Sequence, residues 1–120
     1  MKDFKNLKVW SKSHKLTLRI YEITRTFPVE EIYGLKSQMR RASVSIPTNI
    51  AEGCGRNSDA ELARFLEIAM GSASELEYLI LLSKELNFFD DKLYNAFNAE
   101  IIGIKQMLAT TLIKKLRADR

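Results

Sequence analysis

From Ala42 to Ala51 the chain passes through ten residues without a charge, inside a stretch, Leu35 to Arg56, whose apolar residues recur at helical spacing. At about 100° per residue, Leu35, Met39, Ala42, Ile46, Ile50 and Gly53 share one face, and Gln38, Arg41, Ser45, Asn49 and Glu52 form a polar seam beside it. The opposite side carries Val44, Pro47, Thr48, Ala51 and Gly55, too bland for a helix back that meets only water. A four-helix domain of this size covers one side of each helix with its own core. The second side is therefore expected to meet another copy of the chain, with Val44, Thr48 and Ala51 in subunit contact. The alternative is a surface helix that is simply rich in Ser and Thr.

The remaining composition narrows the fold class. With 120 residues, 46% of them apolar, the chain is expected to form one domain whose core needs no metal or disulfide staple. Two prolines and five glycines are few, as an all-helical chain requires. No apolar run approaches the ~20 residues that span a bilayer, and the start, MKDFKNLKVW, lacks the apolar segment of a signal peptide, so the expected location is cytoplasmic. The single Cys54 has no internal disulfide partner. Neither it nor the single His14 has neighbours at metal-ligand spacing, and no metal or cofactor is expected.

Four helical segments follow from the apolar spacing. The first is predicted from about Leu7 to Thr26, with Val9, Leu16, Ile20, Ile23 and Phe27 facing the core, Trp10, Thr17 and Tyr21 beside them, and Pro28 as its stop. Lys5, Lys8, Lys12, Lys15 and Arg19 run along its other flank as one basic stripe. Like charges so spaced repel by ~0.2 to 0.5 kcal/mol per pair, so a compensating partner is expected, either phosphate or acidic side chains of the third helix; the alternative is a solvated flank that serves only solubility. The second helix is predicted over roughly Ile32 to Glu52, after Glu30 and Glu31, with a kink near Ser43 to Ile46 because Pro47 lacks an amide hydrogen. Serine hydroxyls are the expected donors to the carbonyl so released.

Gly53 to Asn57 reads as a turn, and Ser58-Asp59-Ala60-Glu61 as a capping box in which Ser58 accepts from the Glu61 amide while Glu61 reaches back. The glycines also allow a phosphate-loop reading, but Lys followed by Ser or Thr is missing after the last of them. The third helix should run from Asp59 to about Asn87 on a near-heptad stripe, with Gly71, Ser72, Ala73 and Ser74 as a small-residue patch where another helix can come close. Asp90 caps the fourth, whose core face is Tyr94, Phe97, Ile101, Ile104, Leu108, Leu112 and Leu116. Lys114, Lys115 and Arg117 suit its dipole.

The net charge of +4 hides an uneven distribution. Residues 1 to 57 carry +6, residues 58 to 104 carry −6 and residues 105 to 120 carry +4. Acidic and basic helices either offset each other within one bundle or meet between subunits. No catalytic constellation is visible: His14 has no Glu three positions before it for a di-iron pair, and it falls on the side of the first helix away from the core. The polar seam is read as fixing helix register or a subunit contact rather than as an active site.

Several of these segments together are similar to a known family. Leu7-Lys8-Val9-Trp10, Phe27-Pro28 through Tyr33-Gly34-Leu35, Gln38 to Ala42, Ser45-Ile46-Pro47-Thr48-Asn49-Ile50-Ala51-Glu52-Gly53, and Gly71-Ser72 before Glu75-Leu76 resemble the small bacterial proteins encoded by intervening sequences within 23S ribosomal RNA genes. The chain departs from their usual pattern at Ser11, Ser13 and Cys54. The resemblance implies an antiparallel up-down-up-down four-helix bundle, assembly as a homo-oligomeric ring, commonly a pentamer, and no established enzymatic activity. It also implies distant kinship to the basic accessory protein of the diversity-generating retroelements. The expected function is non-catalytic binding of RNA or DNA through phosphates, with Lys5, Lys8, Lys12, Lys15 and Arg19 as principal contacts and Arg40 and Arg56 as secondary ones. The alternative is a protein-interaction scaffold or accessory subunit that touches no nucleic acid.

Overall fold

The apolar stripes fold as four helices, α1 (Lys8–Ile23), α2 (Leu35–Cys54), α3 (Asp59–Glu85) and α4 (Asp91–Thr110), in a computed structural model that describes residues 3–112. Short 3₁₀ turns at Phe4–Asn6, Thr24–Thr26 and Val29–Glu31 occupy the ends and the first connection, and no strand occurs among the described residues. Cross-helix contacts give the direction of each neighbour. Thr17 and Thr24 of the first helical segment meet Ser43 and Arg40 respectively. Ser45 and Met39 of α2 meet Ser72 and Ser83 of α3, and Glu77 of α3 meets Lys105 of α4 while Lys84 meets Asp91. In each pair one number rises as the other falls, so consecutive helices run in opposite directions.

The core is drawn from the residues that the spacing aligned, with Ile23 and Tyr94 only partly buried at its edge. Leu16, Ile20, Met39, Ile46, Ile50, Leu66, Leu76, Ile80, Phe97, Ile101, Ile104 and Leu108 are completely buried. Each such side chain contributes roughly 1.5–3 kcal/mol relative to exposure. Four hydroxyls are buried with them, Ser13, Thr24, Ser43 and Ser83. Each donates to a carbonyl one turn back on its own helix, at 2.7 to 3.0 Å, which removes the desolvation cost of the hydroxyl. α2 and α3 pack most closely and α1 and α4 most loosely.

Proline at position 47 does not end α2, which is helical from Leu35 to Cys54 with Pro47 buried inside it. The carbonyl that a prolyl nitrogen cannot serve is that of Ser43, four residues back. Thr17 Oγ1 of α1 approaches that carbonyl at 2.8 Å, in place of the expected serine, sharing its one hydrogen with Ser13 O at 2.9 Å. Ser43 Oγ itself turns to Arg40 O.

Local signals at the helix ends hold in part. Ser58 accepts from the Glu61 amide at 3.1 Å and Asp90 Oδ1 from the Leu93 amide at 2.8 Å. The reciprocal half of the box differs, because Glu61 Oε2 is engaged by Arg64 Nε at 3.1 Å. That hydrogen bond and the charge of the guanidinium hold the Glu61 carboxyl below its ordinary pKa. α2 begins at Leu35, three residues later than predicted, after Glu31 Oε1 accepts from the Leu35 amide at 3.0 Å. α2 also extends through Gly53 and Cys54, residues expected in the turn. A Cβ on Gly53 would stand 2.9 Å from both Leu62 Cδ1 and Phe65 Cβ, so glycine is needed there for the approach of α3. α3 ends at Glu85, and Asn87, with φ 65°, turns the chain in the left-handed region. Leu116, Lys114, Lys115 and Arg117 lie outside the described residues.

Candidate nucleic-acid interface

The basic stripe of α1 lies along the seam with α4. A flank of lysines cannot be buried, since an unpaired ammonium in an apolar interior costs many kcal/mol, and α1 therefore stands off α4 where the stripe runs. The space left is a groove of about 750 Å³. Lys8, Lys12 and Lys15 form its α1 wall, Ala99, Gly103 and Gln106 line the α4 side, and the core residues Leu16 and Ile104 lie at its base.

The stripe divides into two kinds of cation. Lys5, Lys8, Lys12 and Lys15 are exposed and form no ion pair with a described residue. Lys5 lies 5.8 Å from the centre of the Phe4 ring. Arg19 is tied down: Nη1 donates to Glu100 Oε1 of α4, and the guanidinium lies over Phe97 at 4.7 Å. The pair crosses the seam between the main groove and a smaller cavity of about 290 Å³ lined by Arg19, Ile23, Leu93 and Phe97. Glu100 Oε2 is buried and has no hydrogen-bond partner among the described residues.

The secondary arginines lie elsewhere. Arg40 donates from Nε to Thr24 Oγ1 at 2.9 Å and from Nη2 to Tyr21 O at 3.0 Å, with its guanidinium over the Tyr21 ring. It closes the end of α1 onto α2. Arg56 is exposed beyond the end of α2, over Phe65 at 4.8 Å. The structure does not bring either of them into the lysine groove. The acidic residues of α3 do not answer the α1 lysines either: Glu61 pairs with Arg64 and Glu77 with Lys105 at 2.8 Å.

The polar seam of α2 separates into two parts. Ser45 and Asn49 are half-buried against α3, where Ser45 Oγ and Ser72 Oγ are 2.7 Å apart and Asn49 Nδ2 donates to Ser45 O and Oγ at 2.8 and 3.0 Å. This cluster fixes the register of α2 on α3 at the small-residue patch. Gln38, Arg41 and Glu52 face outward. Val44, 38% exposed, and Thr48 also face outward in the single chain, and Ala51 is half-buried. The sequence places Ser72 in a small-residue patch, which marks a close approach but not a partner for the α2 seam. His14 is exposed and stacks on Trp10 at 4.9 Å, and no cluster of metal-ligating side chains occurs among the described residues.

Residues 5–110, nearly the whole bundle, match the 23S rRNA-intervening sequence protein family. The chain belongs to that family. A crystal structure of a protein of unknown function from the S23 ribosomal protein family of Bacteroides thetaiotaomicron, at 1.70 Å, is similar in fold, with a TM-score of 0.78 and 25% sequence identity over 87% of this chain and 97% of that one. No curated protein matches this chain. The intervening-sequence family assignment covers the lysine stripe, the α2 stretch with Pro47 and all four helices. It indicates no catalytic family, and no described helix is long and apolar enough to cross a membrane.

Proposed function

We propose that this intervening-sequence protein is a non-catalytic, homo-oligomeric bundle that binds RNA or DNA through phosphate contacts. The observation that carries the reading is the set Lys5, Lys8, Lys12 and Lys15. Lys8, Lys12 and Lys15 follow one flank of α1 and Lys5 lies in the 3₁₀ turn before it; all four are exposed and without an acidic partner among the described residues, whereas Arg19, Arg64, Lys84 and Lys105 are ion-paired. Such a row meets the regular charge of a phosphate backbone and reads no base edges, so binding should be salt-sensitive and largely independent of sequence. Arg19 and Arg40 act in this reading as supports of the bundle, and Arg56 as a peripheral contact.

Assembly belongs to the same proposal. The outward Val44 and Thr48, with Ala51 beside them, offer a neutral face of small residues on which a second copy can lie closely. A ring, and a pentamer in particular, is what the family likeness suggests. Filter binding of RNA and DNA across a salt series is the direct test: the expected result is affinity at low ionic strength that falls linearly on logarithmic axes as salt rises. Absence of affinity at low ionic strength would leave the scaffold reading, which the neutral α2 face favours. A pull-down of a polypeptide partner that survives nuclease would then identify it.

A further inference from the structure

We infer that the α1–α4 groove seats an unpaired nucleobase, so that the protein selects single strands over duplex. This rests on the nucleic-acid reading above and adds to it a site and a substrate class. A row of lysines on a convex surface would accept either form. Here the row is one wall of a groove of about 750 Å³ whose base is apolar, formed by Leu16 and Ile104, with Met107 beside them. That volume is within the range of small-ligand sites. Lys8 to Lys15 spans ~10 Å of helix, the scale of one or two nucleotides.

The chemistry of the walls is matched to a base with its phosphate. The ammonium groups hold the phosphates at the rim, and the thioether of Met107 and the aliphatic base of the groove suit the π-face of a base. Deeper, Glu100 Oε2 is a buried acceptor without a donor among the described residues, while its companion Oε1 is held by Arg19. An exocyclic amine, such as N4 of cytosine, pairs with this oxygen once the Glu100 side chain turns it toward the groove, because in the free chain the oxygen has no accessible surface. Uracil carries a carbonyl at that position, and its donor on that edge is the ring N3–H alone. A duplex keeps its bases stacked and paired, and presents only its phosphates to the rim.

Gly103 gives a test that leaves the lysines in place. A Cβ built on it meets nothing within 4 Å, so a side chain can begin there freely; Gly103→Leu projects into the groove, and replacing a helical glycine favours α4. Fluorescence anisotropy of the full chain with a short single-stranded RNA and with a duplex, both at low salt, reads the outcome. The expected result is a loss of single-strand affinity on the order of tenfold, with duplex affinity changed less than about twofold. Single-strand binding that is unchanged, or that falls in step with duplex binding, overturns the groove as a base seat while leaving phosphate binding standing. Failure of the wild-type chain to bind either form overturns the nucleic-acid reading itself. A second measurement on the wild-type chain compares oligo(C) with oligo(U): tighter binding of oligo(C) is expected, and equal affinities would remove the Glu100 contact.

Discussion

Thr17 shows how much one hydroxyl carries when a helix contains proline. Its Oγ1 lies 2.8 Å from the Ser43 carbonyl that Pro47 leaves without an amide, and 2.9 Å from Ser13 O on its own helix. Thr17→Val keeps the shape and removes the donor, leaving the Ser43 carbonyl unsatisfied, which costs about 1–3 kcal/mol. In a Pro47→Ala background the new amide can serve that carbonyl, so the same substitution should cost distinctly less. Urea denaturation of the four chains in this cycle measures the coupling. The proline and its consequence were legible in the sequence; the donor was not, because it comes from a residue 26 positions away. Gly53 is a second case. Its sequence context suggested a turn, whereas the structure needs it for the contact with Leu62 and Phe65. Gly53→Ala should destabilise the fold by about 1–3 kcal/mol through overpacking, in spite of alanine's better helix propensity, and a lowered Tm checks it.

At the scale of elements, the helix starts with an N-cap side chain three residues before the amide it accepts from were the readable ones. Ser58 and Asp90 cap α3 and α4 as predicted, each through the amide three residues on. The start of α2 was placed too early because Glu31, which marked a helix beginning, closes a 3₁₀ turn and reaches forward to the Leu35 amide. The Glu61–Arg64 pair gives α3 a dependence on acid with a definite sign. Arg64 lowers the pKa of Glu61 in the folded chain, so the contribution is present above the unfolded value and is lost as pH falls through the folded one. Amide exchange in the first turn of α3 should therefore accelerate as pH drops through the carboxylate range, after correction for intrinsic rates. Glu61→Gln should flatten that dependence while the Ser58 cap persists.

At the scale of the whole molecule, the sequence showed a basic flank and a bland face but not where either would point. The lysine flank falls on a helix seam because α1 must turn Val9, Leu16 and Ile20 inward, and Lys8, Lys12 and Lys15 then sit beside α4. The bland face of α2 divides: Val44 and Thr48 point outward, Ala51 is half-buried, and Pro47, expected beside them, is buried. If copies meet on this face, each copy adds its lysines to one surface, and a long strand engages several chains at once. Replacing Val44 and Thr48 together with Gln tests this without changing net charge. Both positions are exposed in the single chain, so helicity should be retained, while Tm falls by what assembly contributes. Sedimentation should show a shift from oligomer to monomer. In the same variant, the slope of log affinity against log salt for a long RNA should shrink toward the value set by three or four phosphate contacts, because each lysine contributes about 0.7 to the slope on a single strand. A wild-type chain that sediments as a monomer, or a monomeric variant with an undiminished slope, would separate binding from assembly and confine the interface to a single α1–α4 groove.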